Sequence, residues 1–275
     1  MRLGAPVQDY STPEQWIASL RQHGYRAAYY PLDADVDMQT HHRYVQAAAR
    51  YDIVIAEVGA WSNPISPDAV VRNAAIEKCQ AQLALADEIG ARCCVNIAGS
   101  RSEKWDGPHL DNLSSDTFDL IVETVRTIID TVNPKRSFYV LETMPWIFPD
   151  SPESYLQLVK AINRKQFAVH LDPVNLINCP YRYFTNSAFL QKCFRLLGPY
   201  IKSCHAKDII LKDKLTVHLD EVRPGLGRLD YKTFLSCINQ LDDVPLMLEH
   251  LPDEAYPPAA EYIRKTASEL EIMLD

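Results

Sequence analysis

The chain has 275 residues, 47% of them hydrophobic and 23% charged, which supplies a large core and excludes a disordered polymer as the main state. Asp and Glu number 36 against 28 Lys and Arg, and the formal charge of −8 excludes a protein that wraps nucleic acid through clustered cations. No apolar run approaches the roughly 18 residues that span a bilayer.

In chain order, short apolar runs predict strands over 1–6, 27–32, 53–58, 92–98, 138–143, 167–172, 201–207 and 245–251. Amphipathic runs between them predict helices over 12–23, 38–50, 67–89, 115–132, 152–163, 186–197, 231–241 and 258–274. Ser11-Thr12-Pro13, Ser66-Pro67 and Ser151-Pro152 are helix starts, because a hydroxyl caps the first turn and proline fits its first position. Gly90 and Gly198 mark helix ends. Eight strand–helix units in alternation predict an α/β chain folded as a single (β/α)8 TIM barrel over 1–275. A doubly wound open sheet would carry a glycine-rich phosphate turn after an early strand, and none is present among only nine glycines.

Two long connections, 99–115 and 209–230, fall on the side of the barrel where active sites are built. The seven cysteines are odd in number and lack a Cys-x-x-Cys pair, so they read as reduced thiols. With no apolar N-terminal segment of signal-peptide type, this leads us to expect a cytoplasmic protein.

Alternation along the last four strands places Glu142, Asp172, His205 and Glu249 on the inward face at the C-terminal ends. Their spacings of 30, 33 and 44 residues match a barrel unit of roughly 34, the last lengthened by the second long connection. Three carboxylates in one barrel mouth would repel one another unless a cation joined them. Three carboxylates and an imidazole suit one divalent ion, Mn²⁺ foremost, with Mg²⁺, Co²⁺ or Zn²⁺ as alternatives.

The motifs Leu141-Glu142-Thr143-Met144-Pro145-Trp146, Val169-His170-Leu171-Asp172-Pro173-Val174-Asn175, Ser203-Cys204-His205-Ala206-Lys207-Asp208, Arg223-Pro224-Gly225-Leu226-Gly227 and Leu248-Glu249-His250 occur in this order. Together they resemble the sugar phosphate isomerase/epimerase family of the xylose-isomerase-like barrel superfamily. The resemblance covers essentially the whole chain. It implies that Glu142, Asp172, His205 and Glu249 hold one divalent metal, and that Glu142 and Glu249 exchange protons with a carbon next to a sugar carbonyl. It also implies a homo-dimer or homo-tetramer. Asn175 departs from the ketose 3-epimerase branch, which usually has His at that place.

Around this site the expected substrate contacts are Lys207, Glu57, Trp146, Asn175, His218 and Arg223. Glu57 is read as continuing the face of Ile53 and Ile55 to the end of the third strand. Lys207 shares the face of His205 and would stabilise a developing oxyanion. Trp146, like Trp61 and Trp105, follows a strand and offers an aromatic face to sugar C–H groups. His218 lies in the second long connection, and Arg223 would bind a phosphate or carboxylate beside glycines that let backbone approach the site. The expected function is a metal-dependent isomerase or epimerase of a sugar, keto-sugar or sugar phosphate, with a small carbohydrate as partner and neither nucleic acid nor membrane. The alternatives are a lyase on a keto-glycoside, a non-catalytic sugar-binding subunit, and an endonuclease-IV-like DNA-repair nuclease.

Overall fold

The computed structural model describes residues 1–274. Eight parallel strands close into a barrel: β1 (Leu3–Gly4), β2 (Ala27–Tyr29), β3 (Val54–Gly59), β4 (Cys93–Asn96), β5 (Phe138–Glu142), β6 (Phe167–Leu171), β7 (Ile201–Ala206) and, after a hairpin of β8 (Asp208–Lys212) and β9 (His218–Val222), β10 (Leu246–Leu248). Around the barrel the order is β1-β10-β7-β6-β5-β4-β3-β2. All eight expected barrel strands are present, mostly shorter than their apolar runs.

Helices cover Met38–Arg50, Ser115–Val132 and Asn186–Leu197, where the patterns place them. Thr12, Ser114 and Ser151 cap helix N-termini by accepting from backbone N–H groups. The last helix runs over Tyr256–Glu269 rather than 258–274, and Glu271 beyond it takes a left-handed φ of 56°. The connection expected at 209–230 is not irregular throughout. Asp208 pairs with Val222 and Lys212 with His218 in an antiparallel hairpin outside the barrel. Among the described residues, no helix is long and apolar enough to cross a membrane.

Small side chains fill the lower barrel interior. Cys93, Val95, Val140 and Ala168 form one apolar group, and Ala27, Ala56 and Met247 another. A Cβ at Gly4 would stand 2.5 Å from the Ala27 carbonyl oxygen and 2.6 Å from Met247 Sδ, so only glycine fits there. The much larger core lies between the strands and the surrounding helices.

Tyr155 ties the site-bearing strands to the outer layer. From the helix Pro152–Ile162 its buried hydroxyl accepts the N–H groups of Leu141 and His170, each at 3.1 Å, and can donate to the Ala168 carbonyl at 3.1 Å. Tyr155→Phe would remove this hydroxyl bridge between β5 and β6. The expected cost is about 0.5–1.5 kcal/mol, read as a lower urea midpoint at unchanged m-value.

Candidate metal centre

Four neighbouring strands bring four side chains to one height. Glu142 is the last residue of β5, Asp172 follows β6, His205 is the penultimate residue of β7, and Glu249 follows β10. One ligand atom from each lies within 4.8 Å of all the others, and all four residues are buried. His205 Nδ1 is 2.8 Å from Glu249 Oε1, 3.2 Å from Glu142 Oε1 and 4.0 Å from Asp172 Oδ2.

Two of the three carboxylates, Asp172 and Glu142, are held from outside the cluster. Asp172 caps the short helix Pro173–Leu176: its Oδ1 accepts from Val174 N at 2.9 Å and Asn175 N at 3.2 Å, which leaves Oδ2 aimed at the cluster. The Thr143 hydroxyl braces the Asp172 backbone, donating to its carbonyl at 2.6 Å and accepting its N–H at 3.1 Å. Asn175 Nδ2 donates to Glu142 Oε1 at 3.1 Å.

Asp172 Oδ2 and Glu249 Oε1 are buried and accept no directed hydrogen bond. The Lys207 ammonium stands 2.8 Å from the first and 2.5 Å from the second, in ion pairs without hydrogen-bond alignment. Orphaned carboxylate oxygens converging with an imidazole nitrogen fit a divalent cation. Burial opposes the charge on Lys207, yet Asp172, Glu142 and Glu249 raise its pKa well above the ordinary lysine value. Burial likewise opposes the His205 cation, but Glu249, Glu57 and Glu142 push its pKa well up. The acids and bases of this cluster therefore compensate one another.

Glu57 reaches the interior by a route that regular alternation does not give. Ala28 pairs with Ile55 and Tyr29 with Glu57, so β3 carries one extra residue, a β-bulge at Ala56. Ile53 and Ile55 pack in the outer core, whereas Ala56 packs inside the barrel. The expectation that Glu57 continues the face of Ile53 and Ile55 is thus corrected: the bulge re-aims it. Glu57 Oε1 lies 3.0 Å from His170 Nε2 and accepts the Ser203 hydroxyl, while Oε2 lies 3.4 Å from His205 Nε2. Burial alone would raise the Glu57 pKa, but the His170 and His205 charges hold it well below the usual carboxylate range. Were a cation to displace the Nδ1 proton of His205, the ionised Glu57 would hold the remaining proton at Nε2 and leave Nδ1 free as a donor to the ion.

Above the cluster opens a cavity of about 770 Å³. Glu57, Trp146, Asn175 and Lys207 line it, as do Trp61 and Trp105. His218 and Arg223 do not line it. His218 begins β9 at the end of the hairpin remote from the barrel, paired with Lys212, and Arg223 Nη1 donates to its neighbour's carbonyl on Pro224. The glycines after Arg223 serve the loop rather than a ligand. Asp208 Oδ2 accepts the N–H groups of Gly225 and Gly227 at 3.0 and 2.9 Å. A Cβ on Gly227 would stand 2.3 Å from Asp208 Oδ1.

Two groups at the mouth escaped the sequence reading. Glu221 on β9 comes within 3.5 Å of Lys207 Nζ and 3.4 Å of His250 Nδ1. His250 takes a left-handed φ of 56° directly after Glu249. A stretch read as irregular connection offers no alternation from which to assign Glu221 a face, and the strand predicted through 251 ends at Leu248.

The family described as "Xylose isomerase-like TIM barrel" matches residues 17–268, and the chain belongs to it. No curated protein sequence matches the chain. Among solved structures, the probable 3-DHS dehydratase AsbF of Bacillus anthracis is similar at 17% identity and TM-score 0.72, over 95% of this chain and 97% of that one. A D-psicose 3-epimerase determined in the presence of D-fructose shares 14% identity at TM-score 0.68, over 97% of this chain and 99% of that one. A xylose isomerase-like TIM barrel protein of Mycobacterium smegmatis, in complex with magnesium, shares 14% identity at TM-score 0.68, over 94% of this chain and 87% of that one. At such identities the likeness is one of fold.

Two outcomes follow for metal binding. Asp172→Asn is expected to weaken Mn²⁺ binding well over tenfold in calorimetric titration of metal-stripped protein. Glu57→Gln, which touches only His205 among the four, is expected to weaken it by about 10- to 100-fold.

Proposed function

We propose that the chain is a divalent-metal-dependent isomerase or epimerase that moves a proton at a carbon next to a carbonyl of a sugar or keto-sugar. The observation that carries this reading is the placement of Glu142 and Glu249. They stand at the two ends of the arc β5-β6-β7-β10, with Asp172 and His205 between them, and both line the cavity.

Glu142, Asp172, His205 and Glu249 are the residues that would hold the metal. Three oxygens and one nitrogen suit Mn²⁺, which accepts both kinds of donor, with Mg²⁺, Co²⁺ and Zn²⁺ as alternatives. When bound, such an ion supplies Lewis acidity to a substrate carbonyl and its neighbouring hydroxyl.

The remaining steps belong to the side chains. One of the two glutamates takes the proton from the carbon beside the carbonyl, and the electron pair passes into the carbonyl. The other gives a proton to the opposite face for epimerisation. For isomerisation, a proton returns to the adjacent carbon. Burial works against ionisation of Glu249, but the charges of His205 and Lys207 lower its pKa, so it stands ionised at the cavity. Lys207, cationic and lining the cavity, stabilises the developing oxyanion. Trp146 on the wall and Asn175 beside Glu142 position the sugar.

A lyase that expels a group β to the carbonyl would begin with the same proton abstraction, and product analysis separates the two. A nuclease is disfavoured, because no arginine lines the cavity and the chain carries −8.

Glu142→Gln and Glu249→Gln are each expected to lower turnover by at least about 10²-fold, with metal occupancy measured in each variant. The supporting assay is NMR detection of deuterium at carbon after incubating sugars, keto-sugars and sugar phosphates in D₂O with the Mn²⁺-loaded protein. If both variants kept their metal and near-full turnover, the assignment of acid and base would be wrong.

A further inference from the structure

The mouth of the barrel is divided. The four cluster residues occupy the arc β5-β6-β7-β10, whereas Trp61, Trp105 and Trp146 rise from the connections after β3, β4 and β5. Trp61, Trp105 and Trp146 are 37%, 38% and 40% exposed, and all three line the same cavity as Glu142 and Glu249. Exposed tryptophans in a concave wall present flat apolar faces that a ligand can cover. The Trp146 indole N–H donates to the Asp106 carbonyl at 2.9 Å, which fixes its ring and joins the connection after β5 to the one after β4. The cavity of about 770 Å³ lies in the upper part of the range for ligands of drug size, well beyond one hexose of about 12 heavy atoms.

The charges of this cavity are also one-sided. Six carboxylates line it, Asp33, Glu57, Asp106, Glu142, Glu221 and Glu249, against Lys104, Lys207 and His250, and each of these bases stands within 4 Å of a carboxylate. No arginine lines it, and Asp33 sets its carboxylate on the aromatic side. A phosphoryl or carboxylate group would meet a lining in which carboxylates outnumber cations.

We propose that the substrate is an uncharged keto-glycoside, whose reacting keto-sugar ring sits at the cluster and whose flat-faced glycosidic substituent lies against Trp61, Trp105 and Trp146. This rests on the proton-transfer reading above and narrows it. Free monosaccharides would fill only the metal end of the cavity, and sugar phosphates and sugar acids would be repelled by its acidic wall. Either a second pyranose or an aryl ring presents the required face.

The test separates this proposal from the reading on which it rests. Calorimetric titration of the Mn²⁺-loaded protein with phenyl β-D-glucoside, cellobiose, methyl β-D-glucoside and glucose 6-phosphate reads the subsite without turnover. Phenyl β-D-glucoside or cellobiose is expected to bind at least tenfold more tightly than methyl β-D-glucoside, with whichever is tighter identifying the substituent. Trp61→Ala and Trp105→Ala should each remove most of that advantage while Mn²⁺ affinity stays unchanged. Equal affinities, tightest binding of glucose 6-phosphate, or an advantage that survives both substitutions overturns the proposal. In the D₂O assay, exchange with free ketoses or ketose phosphates but not with phenyl or glucosyl keto-glucosides overturns it while leaving proton transfer standing. Exchange with none of these compounds overturns the proton-transfer reading as well.

Discussion

Three carboxylates brought together inside a barrel mouth are the constraint that organises this molecule. Glu142, Asp172 and Glu249 are buried, and an unpaired buried carboxylate costs several kcal/mol. The surroundings compensate them from every direction: Lys207 and His205 from β7 and its end, Asn175 beside Glu142, and the helix N-terminus at Asp172. Below them, Glu57, His170 and Ser203 continue the polar network into the barrel, where small apolar side chains take over. Removing one partner from such a network costs more than the partner's own bond, because the other groups remain buried.

Much of this was legible in the sequence because β5 and β6, and β7 beyond a register shift at Lys202, alternate regularly into their C-terminal ends. Reading every second residue from Val140, His170 and Ser203 leads to Glu142, Asp172 and His205. Glu249 followed in the same way from Met247, although it lies one residue beyond the ladder. Glu57 shows where the method breaks. One extra residue at Ala56 reverses the faces of β3, so Ile55 packs outward and Glu57 inward, and alternation carries no mark of a bulge.

The hairpin was obscure for a related reason. Residues 208–222 pair only with each other and face solvent on much of their surface, so they lack the apolar rhythm by which buried strands announce themselves. The glycines after Arg223 were visible but their purpose was not. They approach a buried carboxylate, Asp208, rather than a ligand, and only the hydrogen bonds to Gly225 and Gly227 reveal it. Arg223 and His218, which drew attention as polar residues near a motif or in a long connection, belong to this hairpin and its exit and are not part of the cavity lining.

The strands supply the reactive groups and the loops supply the walls, a division that the barrel favours because strand ends are rigid and connections can vary. The most direct check of the account is diffraction at the manganese absorption edge from crystals soaked in Mn²⁺. The account predicts one anomalous peak per chain, within about 2.0–2.6 Å of oxygen or nitrogen atoms of Glu142, Asp172, His205 and Glu249. Absence of a peak at that position in well-soaked crystals, or a peak held by other residues, would contradict it.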